Sequence, residues 1–171
     1  MSHNIDSGRA LVRPAERADL EAIRTIYNQG IEDRCATLEA SAYDPDDMVL
    51  WWQEHDDKYS VLVAENDGGE ILGWASLNKF SHRCAHSAIA DLSVYVARSH
   101  RGHGVGQALL EALESRGRGT FRKIVLHALN DNQAGKQLYR KRGFREVGVF
   151  ESHGELDGRL INVVAMEKML E

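Results

Sequence analysis

Glycines occupy alternate positions of the segment Arg101–Gly106, which reads Arg-Gly-His-Gly-Val-Gly. The segment follows a run typical of a β-strand, Ala88–Val96, and precedes a run with leucines at helical spacing, Leu109, Leu110 and Leu113. Glycine has no Cβ, so backbone N–H groups can converge there on a ligand, and the following helix adds the positive end of its dipole. A strand, a glycine turn and a helix in this order predict a pyrophosphate-binding site, and hence a nucleotide-like carrier.

The rest of the chain predicts strands and helices that alternate irregularly. The order is β-α-α-β-β-β-α-β-α-β-β, which is typical of a layered α/β domain with a partly antiparallel sheet rather than of a doubly wound parallel one. Helices are predicted to begin near Asp19, Asp44, Gly104 and Asn132. The predicted strands are Leu11–Arg13, Ser60–Glu65, Glu70–Asn78, Ala88–Val96, Phe121–Ala128, Arg145–Gly154 and Leu160–Met169.

Length and charge restrict the function classes. A chain of 171 residues can bury the core of one domain, and we expect residues 1–9 to be a disordered tail and residues 10–171 to be that domain. The net charge of −5 argues against binding to nucleic acid or to a membrane surface. The sequence shows neither a signal peptide nor an apolar run of about 18 residues, so we expect a cytoplasmic protein. The two cysteines match no metal-binding spacing, and we expect no metal.

The position of the glycine run excludes the two commonest nucleotide-binding folds. A dinucleotide-binding fold would place the glycines near the N-terminus and an acidic residue after the next strand. Here the glycines lie in mid-chain, and the next predicted strand, Phe121–Ala128, carries no acid. A P-loop would continue with Gly-Lys-Ser or Gly-Lys-Thr, and this sequence does not.

Several segments together resemble the GNAT superfamily of acetyl-CoA-dependent N-acetyltransferases. They are Leu92–Val96, Arg101-x-x-Gly104-x-Gly106, Asn132-x-Ala134-x-x-x-Leu138-Tyr139 and Arg142–Phe144. Within the superfamily the chain resembles the branch that acetylates phosphinothricin, methionine sulfoximine and arsinothricin. The segments that carry this second resemblance are Ile26–Glu32, Ala36–Glu39, Gly73–Ala75, Phe80-x-x-Arg83-x-Ala85 and Ser93–Val96. The resemblance implies the GNAT fold, in which helices flank a mixed, mostly antiparallel sheet, and it implies a homodimer.

The resemblance also implies acetyl-CoA as co-substrate and a set of residues that bind it. The pyrophosphate is expected over the glycine turn, and the pantetheine arm is expected along the last residues of the preceding strand. The backbone N–H near Val94 is then the expected donor to the thioester oxygen, and Asn132 is both a helix cap and a coenzyme contact. The full set is Val94, Tyr95, Val96, Arg101, Gly102, His103, Gly104, Val105, Gly106, Gln107 and Asn132.

Acetyl transfer to an amine needs a base for the ammonium proton and an acid for the departing thiolate. Tyr139 is the acid that the family pattern implies, with a core aromatic residue as the alternative. Asp91 stands where the branch has glutamate, two residues before Ser-Val-Tyr-Val, and its shorter side chain favours a water relay. A structural or substrate-orienting carboxylate is the alternative for Asp91, and His127 and His86 are alternative bases.

The expected acceptor site contains one arginine, because a guanidinium can grip a carboxylate with two hydrogen bonds. This residue is Arg83, with His86 three positions later where the branch has an aromatic residue. Gly158–Asn162 lacks the tryptophan that the branch carries there, which argues against phosphinothricin as the preferred acceptor. The remaining residues of the expected pocket wall are Tyr27, Asn28 and Thr37.

The leading hypothesis is an N-acetyltransferase that acts on the α-amine of a small amino-acid-like acceptor by direct attack in a ternary complex. Neither cysteine lies in a sequence context typical of a catalytic nucleophile, so no covalent acetyl-enzyme intermediate is expected. A second hypothesis changes the acceptor to a polyamine, an aminoglycoside or a protein N-terminus. A third, from another class, is a CoA-binding module without catalysis.

Overall fold

The computed structural model describes residues 10–170, within which the chain forms seven strands and four helices. The predicted tail, residues 1–9, lies outside the described residues, as does residue 171. The strands are β1 (Leu11–Pro14), β2 (Val61–Glu65), β3 (Ile71–Lys79), β4 (Ile89–Val96), β5 (Lys123–Leu129), β6 (Arg145–Leu156) and β7 (Arg159–Met169). The helices are α1 (Leu20–Glu32), α2 (Pro45–Gln53), α3 (Val105–Gly117) and α4 (Gln133–Lys141). The predicted order of strands and helices is confirmed.

The strands form one sheet in the order β1-β2-β3-β4-β5-β7-β6. Only β4 and β5 run parallel, and every other neighbouring pair is antiparallel. The predicted mixed, mostly antiparallel sheet is therefore confirmed. The parallel pair is short, because only Ile89, Ala90 and Asp91 of β4 have partners on β5. Beyond Asp91 the two strands separate.

Helices cover both faces of the sheet, as the alternation along β2 shows. Val61 and Val63 pack with Ile23 and Ile26 of α1, whereas Leu62 packs with the core on the side of α3. Successive side chains of a strand point to opposite faces, so α1 and α2 lie on one face and α3 lies on the other. Within residues 10–170, no helix has the length and apolar character that a membrane crossing needs.

Helix α2 begins where its sequence predicts. The side chain of Asp44 accepts a hydrogen bond from the Asp47 N–H at 2.8 Å, and the Asp47 side chain accepts one from the Asp44 N–H at 2.9 Å. Pro45 occupies the first turn, where its missing N–H has no cost. These local contacts fix the start of the helix without help from the rest of the fold.

A buried carboxylate joins three elements at the far end of α3. Glu114, with 1% of its side chain exposed, accepts hydrogen bonds from Arg142, at the end of α4, and from Lys168 on β7. The Lys168 ammonium also donates to the backbone carbonyl of Arg142. One negative charge thus holds two positive charges and the ends of two helices together.

Candidate active site

A cavity of about 390 Å³ opens where β4 and β5 separate. Within residues 10–170, the edge of β4 that faces β5 has no partner strand from Leu92 to Val96, whereas the other edge of β4 pairs with β3. Backbone groups on such an edge can bind an extended ligand as a further strand would. The lining residues are Ala36, Thr37, Leu38, Asp91, Leu92, Ser93, Val94, Tyr95, His127, Leu129, Asn132, Tyr139, His153 and Val163.

The glycine turn leads from the end of β4 to the start of α3. Gly102 and Gly104 have φ angles of +78° and +84°, which residues with a Cβ rarely adopt. Gly104 is the N-cap of α3, and no side chain of the described residues caps this end. The N–H groups of the first turn are therefore left for a ligand, together with the positive end of the helix dipole. The sequence of Arg101–Gly106 thus places the uncapped start of α3 next to the open edge of β4.

Asp91 lies at the point where the two strands part. The Asn78 amide donates to Asp91 Oδ2 at 3.1 Å and to Ser93 Oγ at 3.0 Å. Burial raises the pKa of Asp91, and this effect exceeds the lowering by the Asn78 hydrogen bond and by the nearby His127. A carboxylate whose pKa is raised accepts a proton more readily at neutral pH.

Tyr139 reaches the same cavity from α4. Its ring packs edge-on against Phe144, with the ring centroids 6.0 Å apart. Burial raises the pKa of Tyr139, and the nearby Tyr95 and Asp91 raise it further. The phenol therefore keeps its proton at neutral pH, and it is a weaker acid than an exposed tyrosine.

Tyr27 and Asn28, two of the expected pocket residues, do not line this cavity. Tyr27 packs edge-on against Tyr95 and Tyr43, with centroid distances of 5.0 and 4.8 Å, in the core between α1 and the sheet. Asn28 exchanges two hydrogen bonds with the backbone of Tyr43, at 3.0 and 2.8 Å. Both residues support the wall of the site, and Thr37, the third residue of that group, lines the cavity itself.

Arg83 and His86 lie in the connection that leads from β3 into β4, and neither is among the cavity-lining residues. Arg83 is exposed, and no acidic side chain within residues 10–170 pairs with its guanidinium. The His86 ring is 2.6 Å from Ser81 Oγ and packs edge-on against Phe80. Arg83 is thus a free cation on the segment that precedes Asp91.

Arg101, expected to contact the coenzyme, is paired within the protein. Its guanidinium donates to Asp33 at 2.6 Å and to the Val96 carbonyl at 3.3 Å, and Arg98 donates to the same carboxylate at 2.8 Å. These bonds tie the glycine turn to the end of α1. The other expected coenzyme residues follow along the end of β4, the glycine turn and the start of α3, and Asn132 lies across the cavity.

Seven lining residues were not among the expected site residues: Ala36, Leu38, Leu92, Ser93, Leu129, His153 and Val163. Two of them, Leu38 and His153, come from irregular segments. His153 stacks on Phe150 with a centroid distance of 4.5 Å, at an irregularity in the pairing of β6 with β7. Leu38 packs against Gly154, where an added Cβ would lie 2.5 Å from Leu38 Cδ1. His153 lies at this register shift and Leu38 lies in a loop, and neither feature leaves a periodic pattern in the sequence.

Comparison with known proteins gives a consistent result. Residues 21–144 match the model of the Acetyltransferase (GNAT) family. The L-methionine sulfoximine/L-methionine sulfone acetyltransferase of Pseudomonas aeruginosa is 30% identical to this chain over 95% of each. A crystal structure of a phosphinothricin acetyltransferase from Sinorhizobium meliloti with acetyl-CoA has a TM-score of 0.89 and 28% identity, over 94% of this chain and 88% of that one. A ribosomal-protein-alanine N-acetyltransferase structure from Brucella melitensis has a TM-score of 0.89 and 32% identity, over 93% of this chain and 99% of that one.

Proposed function

This chain belongs to the GNAT family and is an acetyl-CoA-dependent N-acetyltransferase, and we propose that its acceptor is the α-amine of a small amino-acid-like molecule. The resemblance seen in the sequence motifs is confirmed at the level of the family and of the phosphinothricin and methionine sulfoximine type. Methionine sulfoximine, phosphinothricin and arsinothricin are the candidate acceptors. The names of the relatives support the first two.

The observation that carries the proposal is the open edge of β4, which runs from Asp91 to the glycine turn. The first-turn N–H groups of α3 would bind the pyrophosphate, and the backbone of Val94–Val96 would pair with the pantetheine arm. These two contacts would hold the thioester between Asp91 and Tyr139, both of which line the cavity. The proposed coenzyme site would thus follow the edge of β4, with the proposed base Asp91 on that strand and the proposed acid Tyr139 on α4.

In the proposed reaction, Asp91 takes a proton from the acceptor ammonium, through a water because its side chain is short. The neutral amine attacks the thioester carbonyl, a C–N bond forms, and the backbone N–H near Val94 stabilises the negative charge on the carbonyl oxygen. The C–S bond then breaks, and Tyr139 gives its proton to the sulfur. The products are the N-acetylated acceptor and the free thiol of CoA.

Arg83 would hold the carboxylate of the acceptor. It is exposed, it is not paired with an acidic side chain of the described residues, and it lies on the segment that enters β4 just before Asp91. The His86 ring, in the same connection, would limit the size of the acceptor side chain.

Substitution of Tyr139 by phenylalanine is expected to lower kcat by about 10²-fold, the lower end of the usual range for general acid catalysis. The phenol proton is lost, whereas the packing of the ring against Phe144 is kept. The rate of thiol release at saturating acetyl-CoA and acceptor measures the effect. Tyr59→Phe, which removes a hydroxyl from a ring packed against Phe121 elsewhere in the core, is the matched control and should keep full activity. An unchanged kcat for Tyr139→Phe would exclude the acid role.

Substitution of Gly104 by valine is expected to weaken acetyl-CoA binding by about 5- to 30-fold, because a Cβ at this φ costs roughly 1–2 kcal/mol and opens the turn. Titration calorimetry with acetyl-CoA measures the dissociation constant. Gly119 has a φ of +81° in the turn after α3 and nothing near its Cβ position, so Gly119→Val adds the same backbone strain away from the site. Equal affinities for the two variants would place the coenzyme elsewhere.

The acceptor is identified by measuring free thiol released from acetyl-CoA across a panel of amines. We expect methionine sulfoximine to be turned over with a higher kcat/KM than spermidine, an aminoglycoside or a peptide with an N-terminal alanine. The peptide belongs in the panel because of the similarity to the ribosomal-protein-alanine N-acetyltransferase structure. Turnover of spermidine or of the peptide alone would reverse the order of the acceptors. Binding of acetyl-CoA with no acetylation of any amine would favour the non-catalytic module.

The homodimer and the cytoplasmic location stay predictions. The β6–β7 hairpin carries exposed apolar side chains, Val147, Val149, Phe150 and Leu160, and this supports an interface with a second copy. Sedimentation velocity measures the association state.

A further inference from the structure

The Asn78 amide, on β3, is the centre of a hydrogen-bond network behind Asp91. Its carbonyl oxygen accepts from Ser76 Oγ at 2.8 Å and faces His55 Nε2 at 2.8 Å. Its NH2 group donates to Asp91 at 3.1 Å and to Ser93 at 3.0 Å. A primary amide has two donors and two acceptor lone pairs, so the four contacts use its whole capacity.

The charge on Asp91 decides which way this amide points. An ionised carboxylate can only accept hydrogen bonds, so it requires the NH2 group of Asn78 on its side. The carbonyl oxygen of Asn78 must then face His55. With the amide reversed, that oxygen would lie against the carboxylate of Asp91, and two acceptors would face each other.

His55 contacts the carbonyl oxygen of this amide. His55 follows α2, and its Nδ1 lies 2.8 Å from the backbone carbonyl of Trp51, while its Nε2 lies 2.8 Å from the Asn78 carbonyl oxygen. The Asn78 carbonyl oxygen is an acceptor, so the ring donates to it through an N–H at Nε2. His55 is thus linked to Asp91 through one neutral amide.

We propose that His55 is a positioning residue for acetyl transfer, whose ring holds the Asn78 amide in the orientation that directs its NH2 group to Asp91, the proposed base. The inference rests on the proposed role of Asp91. His55 is not among the residues that line the cavity and does not touch the reacting groups, so it acts only through Asn78. Without the ring, the Asn78 carbonyl loses this donor, and the amide is free to turn.

Other titratable groups near Asp91 belong to elements that pack around it. His127 on β5 stabilises the charged form of Asp91, and Asp91 in turn raises the pKa of Tyr95 and of Tyr139. Around His55, the neighbours are Asn78 from β3 and the Trp51 ring, whose centroid is 4.5 Å away. Within residues 10–170, no charged side chain forms an ion pair with His55.

The pH dependence of kcat/KM tests the proposal with His55→Phe, which removes the donor to Asn78. The Asn78 amide is then no longer held toward Asp91, and the hydrogen bond that lowers the pKa of that carboxyl weakens. The acidic limb of the pH profile should therefore move to higher pH by about one unit, the order of the effect of one hydrogen bond on a carboxylate. The limb of His55→Gln, which keeps a donor, should lie between those of the wild type and His55→Phe. The acceptor amine titrates identically with every variant. A shift of the acidic limb between variants therefore reports on a group of the enzyme.

Lys58→Gln is the control, because it removes a positive charge from an exposed side chain in the same segment without touching the network. It should leave the acidic limb where it is in the wild type. A purely structural role for His55 would lower kcat/KM by the same factor at every pH, and that result would overturn the proposal. In an Asp91→Asn background, the added His55→Phe substitution should cause no further loss of kcat.

The failure of the inference differs from the failure of the proposed function. If Asp91→Asn is fully active, the base itself is wrongly assigned. If Asp91→Asn is inactive and the limb of His55→Phe does not move, only the role of His55 is excluded.

Discussion

Replacement of Asp91 by asparagine is expected to lower kcat by about 10²- to 10⁴-fold, the range in which general base catalysis contributes. The variant keeps the size of the side chain and an oxygen that can accept from Asn78, so the local packing is preserved. What it loses is the capacity to take a proton from the acceptor ammonium. Burial makes this capacity larger than that of an ordinary aspartate, because it raises the pKa of the carboxyl.

Two measurements separate this prediction from a general loss of structure. Titration calorimetry should give the same dissociation constant of acetyl-CoA for Asp91→Asn and for the wild type, because the proposed coenzyme contacts are backbone groups of β4 and of the glycine turn. Asp67→Asn makes the same chemical change in the exposed β2–β3 turn and should keep full activity. Full activity of Asp91→Asn with every acceptor would refute the role of base and leave His127, on the opposite wall of the cavity, as the alternative.

Replacement of Glu114 by glutamine is expected to lower the free energy of unfolding, and much more than the same change at a surface glutamate. The substitution leaves the cations of Arg142 and Lys168 next to each other without the carboxylate that neutralises them. Removal of one partner from a buried ion pair costs about 3–5 kcal/mol. Because Arg142 and Lys168 keep 21% and 19% of their side chains exposed, we expect a smaller loss of about 2–3 kcal/mol.

Thermal unfolding measures this loss. For a chain of this size, each kcal/mol lowers the midpoint by about 2–4 °C, so the expected decrease is roughly 5–10 °C. Glu21→Gln breaks a pair with Arg24 on the surface of α1, where 69% of the glutamate side chain is exposed, and it should leave the midpoint unchanged. A midpoint for Glu114→Gln equal to that of Glu21→Gln would show that the three-way contact does not stabilise the fold.

Much of the fold could be predicted because its signals are local. The capping pair of Asp44 and Asp47 starts α2, and the glycines of Arg101–Gly106 allow the positive φ angles before α3. The predicted strand limits differ from the observed ones by at most two residues. At the two helix starts the contacts that decide the conformation join residues a few positions apart, so they leave a pattern in the sequence.

The candidate site could be predicted only in part. Asp91, Tyr139, Asn132 and Thr37 come together at one cavity, as the family motifs implied, whereas Tyr27 lies in the core behind it. The place of Tyr27 in the helical pattern of α1 fits both a residue of the pocket and a residue that packs on the sheet. The pattern therefore cannot distinguish these two locations. Only the position of α1 on the sheet does so.

The sequence by itself determined the order of the elements, the glycine turn and the family, because local backbone preferences and short motifs encode them. The tertiary structure alone decided that β4 and β5 part after Asp91, because a parallel pairing joins segments that are distant in the chain. It alone also placed His55 and Asn78 behind Asp91, since hydrogen bonds between side chains of α2, β3 and β4 depend on how these elements pack. The residues proposed to hold the coenzyme are therefore readable from the sequence, and the groups that surround the proposed base are not.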